Sequence, residues 1–252
     1  MLFRVVIPAR FDSTRLPGKV LLPIVGRPML QWVHERANAA GAQQVLIATD
    51  DVRIAAAARG FGAEVAMTAA SHPSGTDRIA QAASDRGWDD DVVVVNVQGD
   101  EPLIPPALIG QVARLLEAHP ESDLATLRTP IGSPAEFVDP NVVKVVADAY
   151  GRALYFSRAP IPWPRDAGSV AAGTQLPCAG AMRHIGIYAY RVAVLKRLTA
   201  LPQSSLELRE RLEQLRALEN DLEIRVATAC EAPGPDVNSA EDLRRVLQLM
   251  GG

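Results

Sequence analysis

The sequence predicts an α/β fold with a mainly parallel central sheet and a small accessory lobe. Three observations lead there. Short β-branched runs alternate with amphipathic stretches, the pattern left by βαβ units. Val92–Val95 is apolar on both faces, as a central strand covered by helices on each side requires. Charged segments follow two of the strands directly, and in open α/β sheets ligands lie beyond the carboxyl ends of the strands.

In chain order, strands are expected at Arg4–Pro8, Val45–Thr49, Glu64–Met67, Val92–Val97, Leu124–Thr129, Val142–Ala147, Ile185–Tyr190 and Ile224–Cys230. Helices are expected at Met29–Ala40, Arg53–Arg59, Arg78–Arg86, Leu108–Ala118, Val192–Leu198, Leu206–Leu218 and Glu241–Leu249, most with apolar residues at helical spacing. From Ala159 to Met182 the pattern gives way to Pro, Gly and small residues. A structureless stretch of that length reads as functional, and we expect a lid over the site.

Composition narrows the function classes. The 252 residues are 48% hydrophobic and 22% charged, and 26 Lys+Arg against 29 Asp+Glu leave a net charge of -3. No Lys/Arg run offers the basic footprint of a nucleic-acid binder, so no nucleic-acid partner is expected. Cys178 and Cys230 form neither a C-x-x-C pair nor a cluster with His, which argues against a zinc site or disulfide framework and for a reducing cytoplasm. No segment approaches the ~20 apolar residues of a spanning helix, and no membrane partner is expected.

The first chemical segment is Pro8-Ala9-Arg10-Phe11-Asp12-Ser13-Thr14-Arg15-Leu16-Pro17-Gly18-Lys19, which directly follows the first strand. Backbone N–H groups together with Arg10, Arg15 and Lys19 suit a triphosphate and the charge on a departing pyrophosphate. A merely solvated basic loop would leave three neighbouring cations repelling one another. Familiar phosphate motifs fail here: Gly18-Lys19 is followed by Val20 instead of Ser or Thr, and Gly60-Phe61-Gly62 lies after a helix and before a strand. His34-Glu35-Arg36-Ala37-Asn38 lacks the second His of a zinc-protease motif.

The second segment, Asn96-Val97-Gln98-Gly99-Asp100-Glu101-Pro102, ends the buried strand. Magnesium is commonly held by one or two carboxylates plus substrate phosphates, and Asp100 is placed for that role. Ser74, Gly75 and Arg78 open a helix whose N-terminal N–H groups suit a phosphate or ribose oxygen, although an N-cap at Ser74 or Thr76 explains the same residues. An acid-binding end is read in Tyr155, Arg158 and Arg165, and in Arg183-His184-Ile185-Gly186-Ile187-Tyr188, because arginine captures a carboxylate bidentately. On Leu206–Leu218 the apolar stripe Leu208, Leu212 and Leu215 leaves a polar face with Glu207, Glu210, Arg211 and Gln214, which an exposed charged surface or a dimer contact explains at least as well as sugar hydroxyls do.

In order along nearly the whole chain, Pro8–Lys19, Ser74-Gly75-Thr76, Asn96–Pro102, Asn141–Val146, Ala153–Arg158, Arg183–Tyr188, Leu212–Arg216 and Val237–Leu243 resemble the 3-deoxy-manno-octulosonate cytidylyltransferase family. CMP-sialate synthetases share the Arg-Leu-Pro-Gly-Lys loop but diverge at Gln98–Pro102. The resemblance implies a Rossmann-like nucleotide-diphospho-sugar transferase fold of the glycosyltransferase-A type. It implies one domain over residues 1–252, with a sugar-binding and dimerisation lobe within roughly 150–222. It further implies CTP and 3-deoxy-D-manno-octulosonate (KDO) as substrates, Mg²⁺ as cofactor and a homodimer serving lipopolysaccharide biosynthesis in the cytoplasm. By the same resemblance Arg10, Arg15, Lys19 and Asp100 are catalytic. The substrate-binding set is Pro8, Ala9, Ser74, Gly75, Arg78, Gln98, Tyr155, Arg158, Arg165, His184, Tyr188, Glu210, Glu213 and Gln214. Asp100 and Asn238 hold metal. The family carries an aspartate where Asn238 stands, so that ligand has lost its charge here. Asn238-Ser239-Ala240-Glu241 also reads as a helix cap, and Asp236 is the alternative second ligand.

Overall fold

The computed structural model describes residues 2–12, 16–165 and 178–251. In chain order it contains β1 (Phe3–Ala9), a 3-10 turn (Lys19–Leu21), β2 (Pro23–Ile24), β3 (Arg27–Pro28), α1 (Met29–Ala39), β4 (Gln44–Thr49), α2 (Val52–Gly60) and β5 (Glu64–Met67). Then follow α3 (Gly75–Asp85), β6 (Val93–Asn96), α4 (Pro106–Ala118), β7 (Leu124–Pro130), α5 (Pro134–Val138), β8 (Lys144–Ala147) and β9 (Ala153–Ser157). The chain continues through β10 (Met182–Arg191), α6 (Val192–Ala200), α7 (Ser205–Glu210), α8 (Gln214–Glu219), β11 (Ile224–Thr228) and α9 (Ala240–Leu249).

The sheet runs β11-β7-β10-β6-β1-β4-β5. β1 pairs in parallel with β4 and β6, and β4 with β5. β10 lies antiparallel between β6 and β7, so its N-terminal residues share an edge with the carboxyl ends of β1 and β6. β8 and β9 form an antiparallel flap on the same sheet, joined to β10 where Lys144 faces Arg183.

Helices on both faces explain the unbroken apolar runs. Val5, Ile7, Val93 and Val95 enter one core with α1, α2 and α4, while Val6, Leu46 and Val94 enter the other with α3, α6 and α8. Alternate side chains of a strand point to opposite faces, and each buried Val contributes about 1.5–3 kcal/mol. A third cluster joins Ile24, Met29, Val237 and Val246, with Leu16 and Leu103 packed against it. The C-terminal segment is thereby seated beside the loop that follows β1.

Several expectations need correction. Leu206–Leu218 is two helices, because Arg211 takes a left-handed conformation at φ 56° between α7 and α8. Leu208 is consequently exposed while Leu212 and Leu215 are buried, so the expected stripe is broken. The corner is held by the buried Glu207–Arg216 pair, with Arg216 donating to both carboxylate oxygens at 2.8 and 2.6 Å. Ala153–Ser157, given no element from sequence, forms β9. The strand expected from Val142 starts at Lys144, since the Val142 N–H closes a turn onto Asp139 O at 3.1 Å. The helix expected from Arg78 starts at Gly75, and the strand expected to reach Cys230 stops at Thr228. Residues 166–177 of the expected lid lie outside the described residues.

Candidate active site

The loop after β1 is closed at its base. Gly18 N–H donates to Phe11 O at 2.8 Å. Gly18 has φ 67°, and a Cβ there would stand 2.9 Å from the Phe11 ring, so this corner needs glycine. The Arg53 guanidinium stacks over Phe11 at 3.3 Å. Pro8 and the buried Ala9 end β1, and Arg10 follows, exposed. Arg15 lies outside the described residues.

The return of this loop brings Lys19 against the turn after β6. Its ammonium contacts the Asp100 carboxylate and lies 3.1 Å from Val237 O and 3.4 Å from Asn238 Oδ1. The C-terminal segment is pinned over the same turn by a 2.9 Å bond from Val237 N–H to Asp100 O. Gly234 passes so close to Leu103 that a Cβ would stand 2.6 Å away. Asn238 donates its Nδ2 to Asp236, which leaves Oδ1 facing Lys19.

Asp100 and Asn238 line the larger of two clefts. The larger, about 650 Å³, is bounded by Asp100, Glu101, Arg183, His184, Asp236 and Asn238, among others. The smaller, about 200 Å³, is bounded by Gly75, Thr76, Tyr188, Tyr190, Glu213 and Gln214, among others. Gln98 lines both, and donates to Asn96 Oδ1 at 3.3 Å. In the larger cleft, burial and then the neighbouring Asp100 and Asp236 raise the Glu101 pKa to about 8, against the pull of Arg183. His184 is lowered to about 3 by burial and then by Arg183, so its ring is neutral near pH 7. It packs edge-on to Phe156 at 5.0 Å and meets Thr126 Oγ1 at 3.0 Å. The Tyr188 hydroxyl is buried with no hydrogen-bond partner among the described residues, in a side chain lining the smaller cleft. Leaving such a group unpaired costs about 1–3 kcal/mol.

Other expected site residues are engaged with their own chain. Ser74 is the N-cap of α3, accepting from Asp77 N–H at 3.2 Å, and a Cβ on Gly75 would stand 3.2 Å from Pro8. Arg78 is buried, donates to Thr68 and pairs with Asp50 at 3.2 Å; it borders neither cleft. The Arg158 guanidinium donates to the carbonyls of Glu210 (2.7 Å), Pro140 (2.8 Å) and Arg211 (3.4 Å). The Glu210 carboxylate accepts from Ser157 Oγ at 2.6 Å and Arg158 N–H at 2.9 Å. Tyr155 is half-buried on β9, its pKa raised by burial and then by Glu210, and Arg165 is exposed. Glu213 accepts from Thr76 Oγ1 across the smaller cleft.

Arg183, read from sequence into the acid-binding end, lines the larger cleft; sequence reasoning gave no role to Glu101 in that cleft, to Tyr190 in the smaller, or to Lys144. The last had a visible signal, a lysine inside the run Val142-Val143-Lys144-Val145-Val146. Lys144 is fully buried and donates to the carbonyls of Asp139 (2.9 Å), Val142 (2.5 Å) and Arg158 (2.6 Å).

Among the described residues no three His, Cys, Asp or Glu side chains gather as a metal cluster. One carboxylate with neutral oxygens nevertheless fits Mg²⁺, which keeps waters and phosphate oxygens as its other ligands.

A cytidylyltransferase family model matches residues 4–224. The chain belongs to the cytidylyltransferase family. Its relatives in this family include 3-deoxy-manno-octulosonate cytidylyltransferases of Thioalkalivibrio sulfidiphilus, 55% identical over 99% of both chains, and Pseudomonas syringae pv. syringae, 54% identical over 99% of this chain and 98% of the relative. A solved cytidylyltransferase, CMP:2-keto-3-deoxy-manno-octonic acid synthetase complexed with CTP, superposes with a TM-score of 0.88 at 41% identity. The match covers 99% of this chain and 98% of that one. A cytidylyltransferase from Leptospira borgpetersenii, at 16% identity and a TM-score of 0.63, shares the fold. The matched residues 4–224 hold Lys19 and Asp100, while Asn238 lies beyond them.

Proposed function

We propose that this chain transfers CMP from CTP to the anomeric hydroxyl of KDO, giving CMP-KDO and pyrophosphate for lipopolysaccharide biosynthesis. The observation that carries the reading is the meeting of Lys19 and Asp100, from the loops after β1 and β6, where Asp100 lines the larger of two clefts that share Gln98. The names of the relatives supply the substrates.

In this reaction the sugar hydroxyl oxygen attacks the α-phosphorus, the bond to the bridging oxygen breaks, and the hydroxyl proton is released. No protein nucleophile is required, so the protein acts by positioning and by charge stabilisation. Arg10, Arg15 and Lys19 neutralise the triphosphate and the departing pyrophosphate. Gln98, His184, Tyr188, Glu213 and Gln214 orient the sugar, His184 as a neutral ring and Tyr188 through its unpaired hydroxyl. Asp100 and Asn238 would hold Mg²⁺. When bound, the ion lowers the pKa of a coordinated hydroxyl and polarises phosphoryl oxygens. Arg158 and Glu210 act through each other, setting the wall that carries Glu213 and Gln214.

We further propose a cytoplasmic homodimer. The exposed Tyr150 and Leu154 on the β8–β9 flap favour burial against a second copy. Sedimentation at micromolar concentration tests this. Pyrophosphate release measured with each nucleoside triphosphate, with and without KDO and Mg²⁺, tests the reaction. Release that occurs without KDO, or that favours another nucleotide, would overturn it.

A further inference from the structure

Three oxygens converge on the Lys19 ammonium: the Asp100 carboxylate, Val237 O at 3.1 Å and Asn238 Oδ1 at 3.4 Å. They come from parts of the chain 81, 218 and 219 residues away from Lys19. Two of them are placed by bonds other than the lysine's. Val237 is tied to Asp100 through backbone, and Asn238 donates its side-chain Nδ2 to Asp236 and its backbone N–H to Asp242. A carboxylate, a peptide carbonyl and an amide carbonyl are also the hard oxygen donors that a small divalent cation takes. The same cradle therefore suits two occupants, a tethered ammonium and a free ion.

We propose that Lys19 is a built-in competitor for the divalent cation, holding its oxygens until a triphosphate draws the ammonium away. The charges require an exchange. Asp100 and Lys19 sum to zero, so while the ammonium stays the pair offers a doubly charged ion little net attraction. Phosphate oxygens beside the β1 loop give Lys19 an alternative partner, and its flexible four-carbon stem lets it move. Ion binding is then coupled to nucleotide binding, and by linkage each strengthens the other. This rests on the assignment of the site to nucleotidyl transfer with a divalent ion.

The test is binding of Mn²⁺ followed by electron paramagnetic resonance, with no nucleotide and no sugar present. The wild-type chain is expected to bind Mn²⁺ weakly. Lys19→Met and Lys19→Gln should bind it at least about tenfold more tightly, since each removes the competing charge and leaves the oxygens in place. The gain should vanish in the Lys19→Met, Asp100→Asn double variant. Thermal melts identify which variants are folded, and two replacements of different polarity are used so that one folding failure does not decide the matter. Unchanged Mn²⁺ affinity in a folded Lys19 variant overturns the proposal, as does a gain that survives Asp100→Asn. Loss of the exchange would leave the assigned reaction standing. Wild-type protein that exchanges cations but releases no pyrophosphate from CTP with KDO and Mg²⁺ would strike the reaction alone.

Discussion

Lys19 and Asp100 touch each other in the structure and phosphate only in the proposed reaction, so their variants separate chemistry from stability. Lys19→Ala and Arg15→Ala are expected to lower turnover about 10²–10³-fold, with smaller effects on melting. Parallel losses of activity and melting temperature would mark a structural loop instead. Asn238→Asp adds a second charge that attracts both Lys19 and the ion. It should lower the Mg²⁺ concentration for half-maximal rate by up to about tenfold, the low end of the ~10–100-fold effects of single groups around a metal. A strong shift on Asp236→Asn with none at Asn238 would move the second ligand to Asp236.

His184 provides a pH signature. Its pKa is about 3 in the fold against an ordinary 6.5, so the unfolded chain binds the extra proton first as pH falls. Its contribution is intact above pH 6.5 and is lost progressively toward pH 3, at no more than about 1.4 kcal/mol per unit. Melting of the His184→Gln variant should therefore depend less on pH between 7.5 and 4.5 than wild type. Identical slopes would show that His184 does not carry that dependence.

The elements around the flap are held by two charges that donate to backbone, the buried Lys144 and the half-buried Arg158. Lys144 serves three carbonyls and Arg158 three more, so the segment 139–142, the end of β9 and the corner at Arg211 are tied together. Lys144→Met should destabilise by about 3 kcal/mol or more, because it leaves several buried acceptors unpaired. Denaturant unfolding measures this. Arg158→Ala, expected from sequence to weaken capture of the acidic sugar alone, should also lower stability. Calorimetry with CTP and with KDO shows whether the sugar is lost selectively. The left-handed Arg211 offers the opposite sign. Arg211→Gly should stabilise by about 0.5–1 kcal/mol, since its carbonyl, not its side chain, meets Arg158.

Across the whole molecule, the C-terminal segment completes the site from outside the main sheet. Val237 and Val246 pack with Ile24 and Met29, and this small cluster seats Val237 O and Asn238 beside Lys19. Truncation after residue 232 should leave the two large cores folded while removing turnover and Mn²⁺ binding in the Lys19→Met background. Retained binding would show that the C-terminal oxygens are dispensable.

The alternation of strands and helices, the buried β6 and the placing of cations and carboxylates at strand ends were legible locally. Period-two and period-3.6 patterns report burial wherever they occur. The same patterns misread Leu206–Leu218, because Leu212 and Leu215 reach the core only after the chain turns at Arg211. By itself the sequence determined the α/β class, the loop with Lys19 and the acidic turn with Asp100. Tertiary structure alone decided which charges remain for a ligand. Arg78, Arg158 and Glu210 are engaged by groups of their own chain, and Lys19 finds oxygens more than eighty residues away. A charge's partner is chosen by distance in space and by the cost of burial without one, and neither quantity is written in neighbouring residues.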